Sequence, residues 1–203
     1  YQIKSALDRI EEIFGVRPKG MWPPELCLGP KTLGLLSKAG VKWTISDEGV
    51  LANSINFDFI RDFKGNLNDP YHLLKVYEYQ TKENSIDIIF RDRSIPNLIN
   101  FEYAGINSEM AANDLYEKIK MIQNKLLISP DNTHLLTIAS DCENCWENYQ
   151  NDGIEFLENK HPEFKSNGRF YLSIFSAIVS VLALIVSFLS KYIDIQTVLN
   201  QYF

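Results

Sequence analysis

Four short apolar runs in this chain each stop at a cluster of charged or amide side chains. GMW (20–22) is followed by two prolines and Glu25, and VKWTIS (41–46) by Asp47 and Glu48. IDIIF (86–90) leads into Arg91, Asp92 and Arg93, and LLTIA (135–139) into Ser140, Asp141, Cys142, Glu143 and Asn144. Runs this short and aliphatic read as buried strands. Helical patterns separate them: Tyr1 to Phe14 ahead of Gly15, Lys31 to Ala39 ahead of Gly40, Asn107 to Leu127, and a last segment from about Asn148 to Asn159. Leu73 to Gln80 adds a further strand, joined to IDIIF through a hairpin about Lys82-Glu83-Asn84. Alternation of this kind predicts an α/β fold with a parallel sheet and crossover helices. Polar groups collected at the C-terminal strand ends match the mouth of a barrel.

The prolines sharpen one boundary. Pro23 and Pro24 have no N–H to donate, so the first strand cannot run past Trp22 and Glu25 falls on a stiff turn beyond its end. Carboxylates at the end of a buried strand are costly unless paired, hydrogen-bonded or used. For Asp141 two readings stand side by side: a helix N-cap with Glu143 and Glu147 on a solvated first turn, or a working carboxylate. Glu25 and Asp141 lie on different strand ends, and each has a tryptophan nearby, Trp22 and Trp146. Such a pair fits glycosidic bond cleavage, in which one carboxylate is ionised and the other is protonated to donate to the leaving oxygen. Indoles could desolvate the acid and stack on a sugar.

Other chemistries find less support. With a net charge of −6 and no basic stripe, the chain is not expected to bind nucleic acid. Its 3 Cys cannot build a disulfide framework and point to a reducing compartment. Cys142 and Cys145 have CxxC spacing, and Cys27 could join them, but no fourth thiolate and no thioredoxin-like helix start accompany them. His72, His134 and His161 are scattered, so neither a metal nor another cofactor is expected. No Gly-rich phosphate loop and no GxSxG is present. Arg91-Asp92-Arg93 reads either as a self-satisfied ion pair or as a substrate clamp.

The 203 residues fit one domain with a real core, and the chain, entered at Tyr1 within a helical pattern, reads as a piece of a longer one. Two regions are expected: residues 1–165 as the catalytic part and 166–203 as a hydrophobic tail. No charge occurs from residue 170 to 190. At roughly 1.5 Å per helical residue, that run is long enough for a bilayer core of about 30 Å. It reads as a transmembrane anchor, as off-frame or fusion sequence, or as a buried helix; hydropathy alone does not choose. A cytoplasmic location is expected without an anchor, and a membrane-associated one with it. Nothing in the chain fixes an oligomeric state.

GMWPPELCL followed by TIASDCENCWENY resembles two signature regions of glycoside hydrolase family 57, the α-amylase and amylopullulanase group. In that family a W-P-P-E segment after the fourth barrel strand carries the nucleophile, and an L-D-G-E-N-C-W-E-like segment after the seventh carries the general acid/base. The resemblance places Glu25 on the nucleophile and Asp141 on the acid/base. FRDRSIPNLINFEYAG is similar to the family's F-R-D-H-x-L-S-D-L-I-G-F-x-Y stretch: Arg91 and Asp92 match, Arg93 stands where His is usual, and Pro96, Asn97 and Asn100 differ. The likeness runs from about Arg17 to Lys160. Cys142 replaces the usual Gly after the catalytic Asp, and Ser140 replaces Leu. Motifs of the family's first strands and its final motif have no counterpart.

The resemblance implies an incomplete (β/α)7 barrel, with about four parallel strands and crossover helices, followed by a hydrophobic C-terminal helix. It implies a retaining glycosidase or glucanotransferase acting on α-glucans (starch, glycogen, maltooligosaccharides), with Trp22, Arg91, Asp92 and Trp146 as substrate contacts and no metal. A different class stays open: a catalytically degenerate, membrane-anchored carbohydrate-binding protein, motivated by Cys142, the missing strands and the tail. A polysaccharide deacetylase-like enzyme would want an Asp and two His about a metal, which the His spacing does not supply.

Overall fold

The computed structural model describes residues 1–129, 133–140 and 146–158. Helix α1 (Gln2–Phe14) is closed by Gly15, whose left-handed φ of 71° lets its N–H return to the Glu11 carbonyl. Strand β1 (Gly20–Met21) leads through a 3-10 turn (Pro24–Leu26) into α2 (Pro30–Lys38). Strand β2 (Trp43–Asp47) passes directly into α3 (Glu48–Ile55), because the Asp47 side chain caps the helix by accepting the Gly49 N–H. A long loop then reaches β3 (Tyr77–Gln80) and β4 (Ser85–Arg91).

Beyond β4 come α4 (Ser94–Asn97), a π-helical turn (Leu98–Glu102), a 3-10 turn (Tyr103–Gly105) and the long helix α5 (Ser108–Leu126). Asn107 caps α5, accepting from the Glu109 and Met110 N–H groups. The last described elements are two 3-10 turns, Trp146–Asn148 and Gln150–Gly153, and helix α6 (Ile154–Glu158).

The four strands form one sheet in the order β1-β2-β4-β3. β1 runs parallel to β2, and β2 parallel to β4 with Asp47 opposite Arg91. β3 is antiparallel to β4, the expected hairpin about Lys82-Glu83-Asn84, turned by Thr81, whose Oγ1 donates to the Asn84 carbonyl and accepts the Asn84 N–H; the parallel strands among the described residues are therefore three, β1, β2 and β4. A connection this short cannot return a chain in parallel. A correction concerns Leu135 to Ala139, which form no strand among the described residues. Asn148 to Asn159 is also not one helix: its described part breaks into turns, with Asn151 and Asp152 in left-handed backbone at φ 51°.

Leu36, Val41, Leu51, Ile88, Phe90, Ile99 and Leu115 are among the side chains that make one continuous core between the sheet and its helices. A small separate cluster of Leu26, Ile45 and Ala139, with Ile89 against it, lies under the C-terminal strand ends. Burying such a side chain contributes about 1.5–3 kcal/mol. The expected C-terminal hydrophobic helix lies outside the described residues, as does the 170–190 run. Among the described residues, no helix is long and apolar enough to cross a membrane.

Candidate active site

β1 ends where its prolines begin. Opposite the departing chain, β2 alternates Thr44 and Ser46 on one face, both fully buried. Thr44 Oγ1 donates to the Met21 carbonyl at 2.8 Å, and Ser46 Oγ to the Leu26 carbonyl at 2.7 Å. The Thr44 bond reinforces the last ladder pair, Met21 with Thr44, and the Ser46 bond holds the segment beyond it. At the base of the strand the Trp43 ring covers Gly20, where a Cβ would lie 2.2 Å from it.

The turn that follows carries Glu25 at φ 54° and Leu26 at φ 55°. Left-handed backbone costs a residue with a Cβ about 1–2 kcal/mol, and such outliers persist only where the surroundings over-determine them. Here the Leu26 N–H donates to the Pro23 carbonyl and the Cys27 N–H to the Pro24 carbonyl, each at 3.0 Å. The Leu26 side chain is buried against Ile45 and Ala139. Glu25 itself is exposed, and Trp22, on the same turn, is 37% exposed.

Beside this turn the ends of β2 and β4 are wired together by charge. Asp47 faces two guanidinium groups: Arg93 pairs with its Oδ1, and Arg91 Nε approaches its Oδ2 at 3.4 Å. Burial acts to raise the Asp47 pKa. The hydrogen bond from Arg93, the Gly49 N–H and the two positive charges outweigh it and leave the carboxyl below its ordinary value. Glu48 goes the other way: burial raises its pKa despite the Arg93 N–H at 3.0 Å and the ion pair with Arg61. Asp92 is 2% exposed. One oxygen caps α4 through the Ser94 and Ile95 N–H groups at 2.7 and 3.0 Å, and the other accepts from Arg61 Nη1 at 3.0 Å.

The RDR motif is therefore not a self-contained pair; its partners come from β2 and from the loop bearing Arg61. Arg61, Asp47 and Glu48 are members of this cluster that sequence reasoning did not select as site residues. The one signal available was the placement of Asp47 and Glu48 at a strand end.

The segment that precedes Asp141 reaches the same edge. Arg91 Nη1 donates to the Ala139 carbonyl at 3.1 Å, and Ala139 packs on Leu26. Asp141, Cys142 and Cys145 lie outside the described residues. Trp146 is half-buried, its ring 5.3 Å from that of Tyr149 and close enough to Gly153 that a Cβ there would come within 2.5 Å. Tyr149 in turn donates to the Ile99 carbonyl at 2.5 Å, tying this segment to the π-helical turn. The structure thus brings Glu25, Trp22 and Arg91 to one sheet edge, with Asp92 in the interior behind them and Trp146 in an aromatic cluster.

The turn beyond β1 thus carries an exposed carboxylate, Glu25, in left-handed backbone at the C-terminal edge of the sheet, with Trp22 exposed three residues earlier. The family model of glycosyl hydrolase family 57 matches residues 1–186, and the chain belongs to that family. Among solved structures, the chain is similar to the 4-α-glucanotransferase from Thermococcus litoralis at 17% identity and a TM-score of 0.47. The alignment covers 70% of this chain and 19% of that one. No curated protein matches.

Proposed function

We propose that this chain is part of a retaining glycosidase or glucanotransferase acting on α-glucans. The observation that carries this reading is Glu25: exposed, on the strained turn beyond β1, in a chain of glycosyl hydrolase family 57. Glu25 attacks the anomeric carbon and forms a glycosyl-enzyme intermediate as the bond to the leaving oxygen breaks. Asp141, one residue beyond buried Ser140, protonates that oxygen. It then takes a proton from water, giving hydrolysis, or from an acceptor sugar hydroxyl, giving transfer.

Trp22 offers a stacking face for a sugar ring. Arg91 bridges the two strand ends to the Asp141 segment, Asp92 holds β4 and α4 in register, and Trp146 supports the chain that leads away from Asp141. The reading needs no metal.

In the full-length protein, Glu25→Gln should abolish release of reducing ends and of transfer products from maltooligosaccharides while binding persists. Continued turnover would remove Glu25 from the nucleophile role. A second reading, a carbohydrate-binding protein without turnover, is favoured by Cys142, which stands where the resemblance expects Gly. Binding with no product release by the wild-type full-length protein would select it.

A further inference from the structure

We propose that Ser46 is a positioning residue for Glu25, its hydroxyl locking the left-handed turn that presents the carboxylate; this rests on the reading of Glu25 as nucleophile. Pro23 and Pro24 prevent the turn from being held by a backbone ladder to β2. Two consecutive residues with side chains, Glu25 and Leu26, nevertheless keep φ near 54° and 55°. Their local hydrogen bonds, Leu26 N–H to Pro23 and Cys27 N–H to Pro24, tie the turn only to itself. The polar tether from the turn to the sheet is Ser46 Oγ donating to the Leu26 carbonyl at 2.7 Å, with Ser46 fully buried.

That tether lies one peptide away from Glu25. It leaves the strand two positions past Thr44, which holds Met21 in the same way. Thr44 reinforces the last β1–β2 ladder pair, and Ser46 carries the attachment past Pro23 and Pro24, which have no N–H, to the residue after the candidate nucleophile. Leu26 adds the apolar half of the anchor, between Ile45 and Ala139. A buried serine serving only as a satisfied hydroxyl would stabilise the whole sheet. A positioning serine acts on one turn.

The test compares Ser46→Ala and Ser46→Thr in the full-length protein by amide hydrogen exchange and by maltooligosaccharide kinetics. With Ser46→Ala, exchange at the Leu26 and Cys27 amides should accelerate about tenfold or more, with the β2–β4 amides unchanged. On the same variant kcat should fall by about 10- to 100-fold with KM nearly constant, the signature of a displaced reacting group. Ser46→Thr, which keeps the hydroxyl, should restore both; if it does not fold, the Ser46→Ala comparison decides alone. Unchanged exchange at the turn, uniform acceleration across the sheet, or an unchanged kcat would each overturn the positioning role. Turnover by Glu25→Gln, or none by the wild type, would instead sink the reading of Glu25 and the positioning role with it. The exchange data would still report whether Ser46 holds the turn.

Discussion

Two neighbouring regions at one sheet edge are built on opposite principles. At the ends of β2 and β4, three carboxylates and three guanidinium groups saturate one another: Asp47 with Arg91 and Arg93, Glu48 and Asp92 with Arg61. On the turn beyond β1, Glu25 stands exposed, and the bonds that hold its backbone belong to its neighbours. The first region is a clamp whose charges are consumed by structure. The second keeps a carboxylate available and confines its backbone. Richness in charge is therefore a poor guide to chemistry here, because the densest cluster is the one already satisfied.

The comparison can be broken at either end. The largest effect expected is on activity: Glu25→Gln should lower turnover of the full-length protein by about 10³-fold or more. Its melting temperature should move by no more than a surface change does, since Glu25 is exposed. Enzyme assay and thermal melting on the same preparation separate the two effects.

On the clamp side the order reverses. Arg61→Ala leaves Asp92 and Glu48 buried without their partner and should cost about 3–5 kcal/mol by urea denaturation. Gly20→Ala should cost about 1–3 kcal/mol, because the new Cβ meets the Trp43 ring at 2.2 Å and pries β1 from β2. A smaller loss, about 1–2 kcal/mol, is expected for Tyr149→Phe, which orphans the Ile99 carbonyl.

The smallest and most diagnostic effect is a pH dependence. Asp47 has its folded pKa below its ordinary value of 3.8, so the native state holds fewer protons there than the unfolded chain. Its contribution to stability is complete above pH 3.8 and is lost as the pH falls through the lowered value. The stability gap between wild type and Asp47→Asn should accordingly close below pH 3.8. Glu48, with its pKa raised, has the opposite sign: stability declines as the pH rises through the raised value. Denaturation midpoints across acid pH would separate the two.

Much of this was legible in the chain. Gly15 closing α1, α5 starting at Asn107 or Ser108, the hairpin about Lys82-Glu83-Asn84 and the strand stop at Pro23-Pro24 are local events, decided by backbone geometry and by which residues own an N–H. For the same reason the position of Glu25 just past a strand end could be read directly. The antiparallel direction of β3 came with that short turn. That Leu135 to Ala139 form no strand was not visible at all, since an aliphatic run reports burial and not ladder pairing.

What only the tertiary structure decided concerns partners far apart in sequence. Asp92 was readable as part of RDR, but its charge partner Arg61 lies 31 residues away on a loop with no pattern of its own. The bond from Ser46 to the Leu26 carbonyl spans 20 residues and depends on the register that sets β2 beside β1. Local chemistry thus determined which groups would stand at the sheet edge. Register and packing determined which of them are neutralised by one another and which, like Glu25, is left with its carboxylate exposed.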